Sequence, residues 1–262
     1  MGIKNFFKYR SDWTLYGDPD AARIVTGHSH RTALAQAKHL KDSTNKKWNN
    51  VSILAEKFNT PYLFPNDDYW ETACKIAQKN KAKLVLLWDG NQINYDFLIA
   101  KDRLYLTHNY TQKDIIDEVV LLSSDQFKDY FKKLLAVSNF YNTIKLIKKN
   151  NISIELIPTP PPKPVSVSKS NIQIEPFYVE HLKNRDSNEI IFYPDKFRAY
   201  LWSLNQRIIQ GECKILDITY RELPGYLFDN GGLLPIKYSN SDATHANVDY
   251  GEKLVDWINR AE

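Results

Sequence analysis

Lys83-Leu84-Val85-Leu86-Leu87-Trp88 is a short run dominated by apolar residues, and it stops at Asp89-Gly90-Asn91. An apolar run of this length, bounded by turn residues, is typical of a central parallel strand that is buried on both faces. The segment Ala22 to Thr26 has the same character and leads into Gly27. The sequence therefore predicts a sheet with at least two fully buried strands.

Helical periodicity alternates with these strands along the chain. Apolar residues recur at helical spacing, every three to four positions, in segments 31–40, 69–79, 195–210, 251–261 and in a longer stretch that begins at Ser124. Further strands are predicted at 152–157 and 213–218, and 97–106 is read as a hairpin. This alternation predicts an α/β protein, specifically a three-layer α/β/α sandwich with a mainly parallel sheet.

The length of 262 residues is compatible with one domain that covers the whole chain, 1–262. We expect residues 1–20 to be an irregular N-terminal segment. A proline-rich loop is expected at 158–170, since the prolines there can continue neither a helix nor a sheet. An inter-domain linker is the alternative interpretation of that loop, but the strand and helix pattern resumes after it.

Composition and charge exclude several classes of protein. The hydrophobic fraction of 43% is that of a folded chain, and 35 Lys and Arg against 31 Asp and Glu give a net charge of only +4, too weak to indicate nucleic-acid binding. Cys74 and Cys213 are isolated and are read as core residues. With neither a signal peptide nor an apolar run long enough to span a membrane, a cytoplasmic location is expected. No metal or other cofactor is predicted.

Three polar clusters fall where strands end or before the last helix: Gly27-His28-Ser29-His30, Asp89-Gly90-Asn91-Gln92, and Asp242-Ala243-Thr244-His245. In open parallel sheets, functional residues collect beyond the carboxyl ends of the strands. An aspartate three residues before a histidine can orient the imidazole as a base, and such a base needs a nucleophile. Ser29 can supply one.

These clusters, in this order, resemble the motifs of the SGNH/GDSL hydrolase family. Gly27-His28-Ser29 is similar to the first block, with His28 in place of an acidic or amide residue. Gly90-Asn91 resembles the third block, and Asp242 with His245 resembles the Asp-x-x-His of the fifth. The resemblance spans roughly residues 22–260 and implies a flavodoxin-like sheet and acyl-ester hydrolysis by a Ser-His-Asp arrangement.

By this resemblance, Ser29 is the nucleophile, His245 the base and Asp242 the residue that orients it. The Ser29 backbone N–H and the Asn91 side chain are expected to bind the oxyanion. The expected partner is a small-molecule or glycan acyl ester, by family analogy an O-acetylated carbohydrate. Two alternatives stay open: a glycan O-acyltransferase with the same triad, and a catalytically weak domain that binds a glycan or a protein.

Four further residues, His28, His30, Asn94 and Asn247, are candidates for the pocket. The His-x-His pattern of His28 and His30 also occurs in metal sites, but the spacing of the other motifs disfavours one here. The family's second block supplies an oxyanion glycine, and this chain has no glycine between Gly27 and Gly90. Another backbone N–H would have to take that position.

Overall fold

The computed structural model describes residues 13–42, 50–57, 65–88, 94, 97–99, 104–107, 119–172 and 192–260. The strands of this part of the chain are β1 (Trp13–Tyr16), β2 (Arg23–Gly27), β3 (Val51–Glu56), β4 (Lys83–Leu87), β5 (Leu104–Thr107), β6 (Val119–Leu122), β7 (Ile154–Ile157) and β8 (Thr219–Tyr220). The α-helices are α1 (Arg31–Asp42), α2 (Asp67–Asn80), α3 (Ser124–Val137), α4 (Phe140–Lys149), α5 (Val165–Ile172), α6 (Asp195–Ile215) and α7 (Val248–Asn259).

Six of the strands form one sheet in the order β1-β3-β2-β4-β7-β8. All pairs are parallel except β1 with β3, which is antiparallel. Numbered from β2, the five parallel strands have the order 2-1-3-4-5 of flavodoxin-like folds. The predicted α/β fold with a mainly parallel sheet is confirmed.

The layers follow from side chains that alternate between the two faces of the central strands. On β2 and β4, Ile24, Leu84 and Leu86 face one apolar cluster, which also contains residues of α2, α3, α4 and α6. Val25 and Val85 face the opposite cluster, with residues of α1 and α7. Because both faces are covered, the strands read as continuous apolar runs, as in a three-layer sandwich.

Two of the expected segment boundaries are wrong. Within residues 1–20, residues 13–16 form β1, because Trp13 and Tyr16 are buried and the strand pairs with the free edge of β3; residues 1–12 lie outside the described residues. Within 158–170, the irregular loop ends at Pro164, and α5 begins at Val165, whose N–H donates to Asp195 Oδ1 at 2.7 Å.

The loop from Pro158 to Pro164 packs into the body of the protein. Most of its residues are buried, and the Leu234 N–H donates to the Pro162 carbonyl oxygen at 2.9 Å. This packing does not fit an exposed linker, whereas the assignment of all 262 residues to one domain stays a prediction.

Two secondary-structure predictions are also corrected. The segment 213–218 is not a strand: α6 continues through Gly211 to Ile215, because Ile209 and Cys213 extend its buried face at helical spacing. The hairpin expected at 97–106 is absent among the residues described there, since β5 pairs in parallel with β6. No helix of the described residues is long and apolar enough to cross a membrane.

Candidate active site

The candidate site lies at the carboxyl ends of β2 and β4, where the strand order reverses. This switch point is where open α/β sheets bind ligands. β2 ends at Gly27, which has a φ of +128° and lies so close to β4 that a Cβ atom there would be 2.1 Å from the Leu87 carbonyl oxygen. The next N–H, of His28, donates to that same oxygen at 3.0 Å. Only glycine permits this approach.

Ser29 occupies the half-buried tip of the turn that follows. The Arg31 N–H donates to the His28 carbonyl oxygen and the Thr32 N–H to that of Ser29, both at 3.0 Å, so the turn leads directly into α1. The Ser29 hydroxyl makes no hydrogen bond to any other residue in the part of the chain that the structure describes. The serine therefore sits at the N-terminal end of α1 with its hydroxyl uncommitted.

The side chain of Arg31 stabilises this turn. Its guanidinium donates to the Gly27 carbonyl oxygen and lies 2.9 Å from Glu56 Oε2 at the end of β3. The Thr32 hydroxyl donates to the other oxygen of Glu56 at 2.7 Å. Because Arg31 has no exposed side-chain surface, this ion pair ties the serine turn to the neighbouring strand inside the protein.

Asp242 and His245 form the side-chain pair that their spacing predicts. His245 Nδ1 lies 3.1 Å from Asp242 Oδ2, and the His245 backbone N–H donates to Asp242 Oδ1 at 2.6 Å. The Thr244 N–H donates to the same oxygen at 2.9 Å. The turn therefore directs the carboxylate toward both the imidazole and the backbone of its own histidine.

The surroundings of Asp242 favour its ionised form. Burial disfavours the charge, but the hydrogen bond and charge of His245, together with the nearby Lys163 ammonium, hold the pKa of Asp242 well below its usual range. An ionised carboxylate only accepts hydrogen bonds, so His245 Nδ1 carries the proton in this pair. In neutral imidazole the lone pair is then on Nε2, as a general base requires.

Sequence reasoning missed the polar groups behind this pair. Lys163 Nζ lies 3.3 Å from Asp242 Oδ1 and donates to the Asp242 carbonyl oxygen at 2.6 Å, while Asn171 Nδ2 donates to that carbonyl at 3.0 Å. Asn240 Nδ2 donates to Asp242 Oδ2 at 3.0 Å. The sequence around Lys163 gave no signal for these contacts, because the acceptors belong to a turn about 80 residues later.

Packing between α1 and α7 brings the two turns together. α1 follows Ser29, and α7 follows His245. A Cβ atom on Gly251 of α7 would lie 2.4 Å from the Ala33 carbonyl oxygen of α1, so the helix backbones touch. At the adjoining ends of these helices, the rings of His30 and His245 are in contact, with centroids 5.3 Å apart.

His28 and His30 flank the serine in different environments. The His28 ring packs on Trp88, with centroids 4.7 Å apart, and burial together with the charge of Arg31 lowers the pKa of His28 to about 3. His30 is buried with both ring nitrogens lacking a hydrogen-bond partner, and burial and the neighbouring His245 hold its pKa well below the usual range. Both rings are therefore neutral near pH 7.

The remaining predicted residues have separate outcomes. Asn94 is buried, and its amide lacks a hydrogen-bond partner in the structure, so its place in the pocket stays a prediction. Asn247 caps α7: its Oδ1 accepts from the Tyr250 N–H at 3.1 Å, and its Nδ2 donates to the Lys237 carbonyl oxygen at 2.8 Å. Asn91, the expected oxyanion donor, lies outside the described residues.

Residues 58–64, which follow β3, also lie outside the described residues. Among the described residues, no group of three or more His, Cys, Asp or Glu side chains is arranged to hold a metal ion.

Comparisons with known proteins add little to this geometry. No family model matches the chain, and no curated protein matches it. Among solved structures, one from Bacteroides fragilis that carries the provisional name acylhydrolase has a TM-score of 0.47 and 11% identity, and the alignment covers 93% of this chain and 88% of that one. A likeness at this level carries no conclusion about activity.

Proposed function

We propose that this protein is a serine-dependent acyl-ester hydrolase in which Ser29 is the nucleophile, His245 the general base and Asp242 the residue that orients the base. The observation that carries the proposal is the Asp242–His245 pair, joined at 3.1 Å and held against the serine turn by the contact between His245 and His30. A base, its orienting carboxylate and a serine at a helix start are the parts that acyl transfer needs.

The proposed reaction has two stages. Ser29 Oγ attacks the acyl carbon while His245 Nε2 takes the hydroxyl proton. The protonated imidazole then gives that proton to the leaving alkoxide, which departs as an alcohol and leaves an acyl-serine. Water attacks the acyl-serine, again losing its proton to His245. Collapse of the second tetrahedral intermediate releases the carboxylic acid and returns the proton to Ser29.

Negative charge develops on the acyl oxygen in both stages. Ser29 lies two residues before Arg31, the first residue of α1, and so its backbone N–H is close to the helix N-terminus, where unpaired N–H groups and the helix dipole favour an anion. We assign this N–H and the Asn91 side chain to the oxyanion hole. A single oxyanion donor of this kind is worth about 3 kcal/mol of transition-state stabilisation.

The substrate class follows from the family resemblance alone. We propose an O-acylated substrate, and an O-acetylated carbohydrate is the first candidate to test. Transfer to a sugar hydroxyl would use the same triad, since only the group that attacks the acyl-serine differs.

One observation favours a second candidate, a domain of this fold that binds without turnover. In the described residues the Ser29 hydroxyl is not hydrogen-bonded to His245, as it would be in a pre-assembled triad. Catalytic hydrogen bonds are often loose before substrate binds, which is why we rank the hydrolase first.

Labelling with a serine-reactive fluorophosphonate separates the two candidates. The wild-type protein is expected to label and to hydrolyse acetyl or aryl esters, and Ser29→Ala and His245→Ala should abolish both. Ser170→Ala is a matched control, because Ser170 is an exposed serine on the nearby α5 whose hydroxyl bonds only to its own helix, at the Val167 carbonyl oxygen. A folded wild-type protein that neither labels nor turns over esters would support the binding domain instead.

A further inference from the structure

A fully buried lysine contacts the proposed catalytic carboxylate. The Lys163 side chain has no exposed surface, and its ammonium group lies 3.3 Å from Asp242 Oδ1. It also donates to the carbonyl oxygens of Asn240 at 3.0 Å and of Asp242 at 2.6 Å. The three acceptors match the three donors of an ammonium group. Lys163 thus binds both the backbone and the side chain of the Asp242 turn.

The backbone of Lys163 is itself fixed. Arg198 Nη1 donates to the Lys163 carbonyl oxygen at 2.8 Å, and the preceding residue, Pro162, accepts a hydrogen bond from the Leu234 N–H. A buried charge is tolerated when it is paired and hydrogen-bonded, and the partner here is the Asp242 carboxylate, which also contacts His245. The placement of Lys163 therefore bears on the imidazole.

We propose that Lys163 is a positioning residue of the active site: its ammonium group fixes the carboxylate that orients His245. This inference rests on the proposed function only in that His245 acts as the base.

The two oxygens of the Asp242 carboxylate have different partners. Asp242 Oδ2 contacts His245 Nδ1 at 3.1 Å, while Oδ1 lies 3.3 Å from the Lys163 ammonium group. The ammonium group therefore holds the oxygen that does not contact the imidazole. Without it, the carboxylate is freer to turn away from His245 Nδ1.

The test replaces Lys163 with methionine, which is similar in length but uncharged. In Lys163→Met, the NMR signal of the His245 Nδ1 proton, which reports the hydrogen bond to Asp242, should move upfield or broaden. We expect kcat to fall about tenfold to a hundredfold by misplacement of the base, with little change in KM. Lys163→Arg, which keeps the charge, should retain most of the wild-type kcat.

Asn171→Ala is the matched control for a loosened turn, because Asn171 also donates to the Asp242 carbonyl oxygen but carries no charge. It should leave the signal of the His245 Nδ1 proton where it is. Lys169→Met, on the exposed face of α5, should change neither that signal nor kcat. An unchanged signal in folded Lys163→Met, or an equal change in Asn171→Ala, would overturn the proposal.

If Lys163→Met does not fold, Asp242→Asn tests the contact from the other side. The ammonium resonance of Lys163 should shift when the charge of the contacting carboxylate is removed; a resonance that stays constant in folded Asp242→Asn refutes the proposal. Both NMR measurements work without turnover. Loss of ester hydrolysis in the wild type would therefore refute the proposed function, while unchanged NMR signals in the variants of an active enzyme would refute this inference alone.

Discussion

Gly251 on α7 touches the backbone of Ala33 on α1, and this contact sets the distance between the two turns of the candidate site. A Cβ atom on Gly251 would meet the Ala33 carbonyl oxygen at 2.4 Å and its carbonyl carbon at 2.7 Å. Both atoms belong to the backbone, so no flexible side chain can yield. The identity of residue 251 therefore bears on the geometry at Ser29 and His245.

Gly251→Ala is expected to destabilise the protein by about 1–3 kcal/mol, the usual cost of overpacking a core contact. Ester hydrolysis should also fall, because separating α1 from α7 moves His245 away from Ser29. Urea unfolding and activity measurements check both effects. Gly211→Ala is the control: Gly211 is a helical glycine of α6 with nothing within 4 Å of its Cβ position, so alanine should instead stabilise by up to about 1 kcal/mol.

The buried ion pair of Arg31 and Glu56 supports the serine turn. Arg31→Met is expected to lower the free energy of unfolding by about 3–5 kcal/mol, because it leaves the Glu56 carboxylate buried without its cation. The double variant Arg31→Met/Glu56→Leu should recover much of that loss, since both charges are then gone. Denaturant titration of the two variants measures the difference. If the double variant is no more stable than the single one, the ion pair is not the main contribution of Arg31.

Asp242→Asn keeps the size of the side chain but removes its charge. The amide can present its N–H₂ to His245 Nδ1 and so stabilise the wrong tautomer, with the proton on Nε2. We expect kcat to fall by about 10³- to 10⁴-fold, as for loss of the orienting carboxylate in serine hydrolases of known mechanism. Steady-state kinetics on an acetyl or aryl ester measures the loss. A change confined to KM would contradict the orienting role of Asp242.

His28 makes the free energy of unfolding depend on pH, and the direction of this dependence follows from its pKa. Its pKa is about 3 in the fold and about 6.5 in an unfolded chain, so the unfolded state binds the extra proton between these values. The stabilising effect of keeping His28 neutral is complete above about pH 6.5 and decreases as the pH falls toward 3.

His28→Leu should therefore flatten the dependence of unfolding free energy on pH between about 6.5 and 4. Urea midpoints across this range provide the measurement. Part of the slope should persist, because the pKa of His30 is lowered in the same direction. A slope identical to that of the wild type would show that His28 does not contribute.

The parts of the fold that local pattern determines were predictable. The apolar run at Lys83–Leu87 became the central strand β4, and the helical spacing after Arg31 became α1. The Asp242–His245 pair was also predictable, since a three-residue spacing in a turn is enough to bring the two side chains together.

Features that depend on distant partners were not predictable. β1 is four residues long and is a strand only because β3 offers it an edge. The strand interpretation of 213–218 failed because burial of Cys213 against the sheet outweighs the weak helix propensity of Gly211. Lys163 was missed for the same reason: its three acceptors lie near residue 241, and nothing in its own segment points to them.

The contact between His30 and His245 joins two residues that are far apart in sequence. Forming such a contact requires closure of a long loop, so it is expected late in folding, after the local helices and the strand pairs between them. Under the proposed function, a partly folded chain would have the serine but not its base. Recovery of ester hydrolysis during refolding would then lag behind recovery of helical signal, and activity would report the last step of folding.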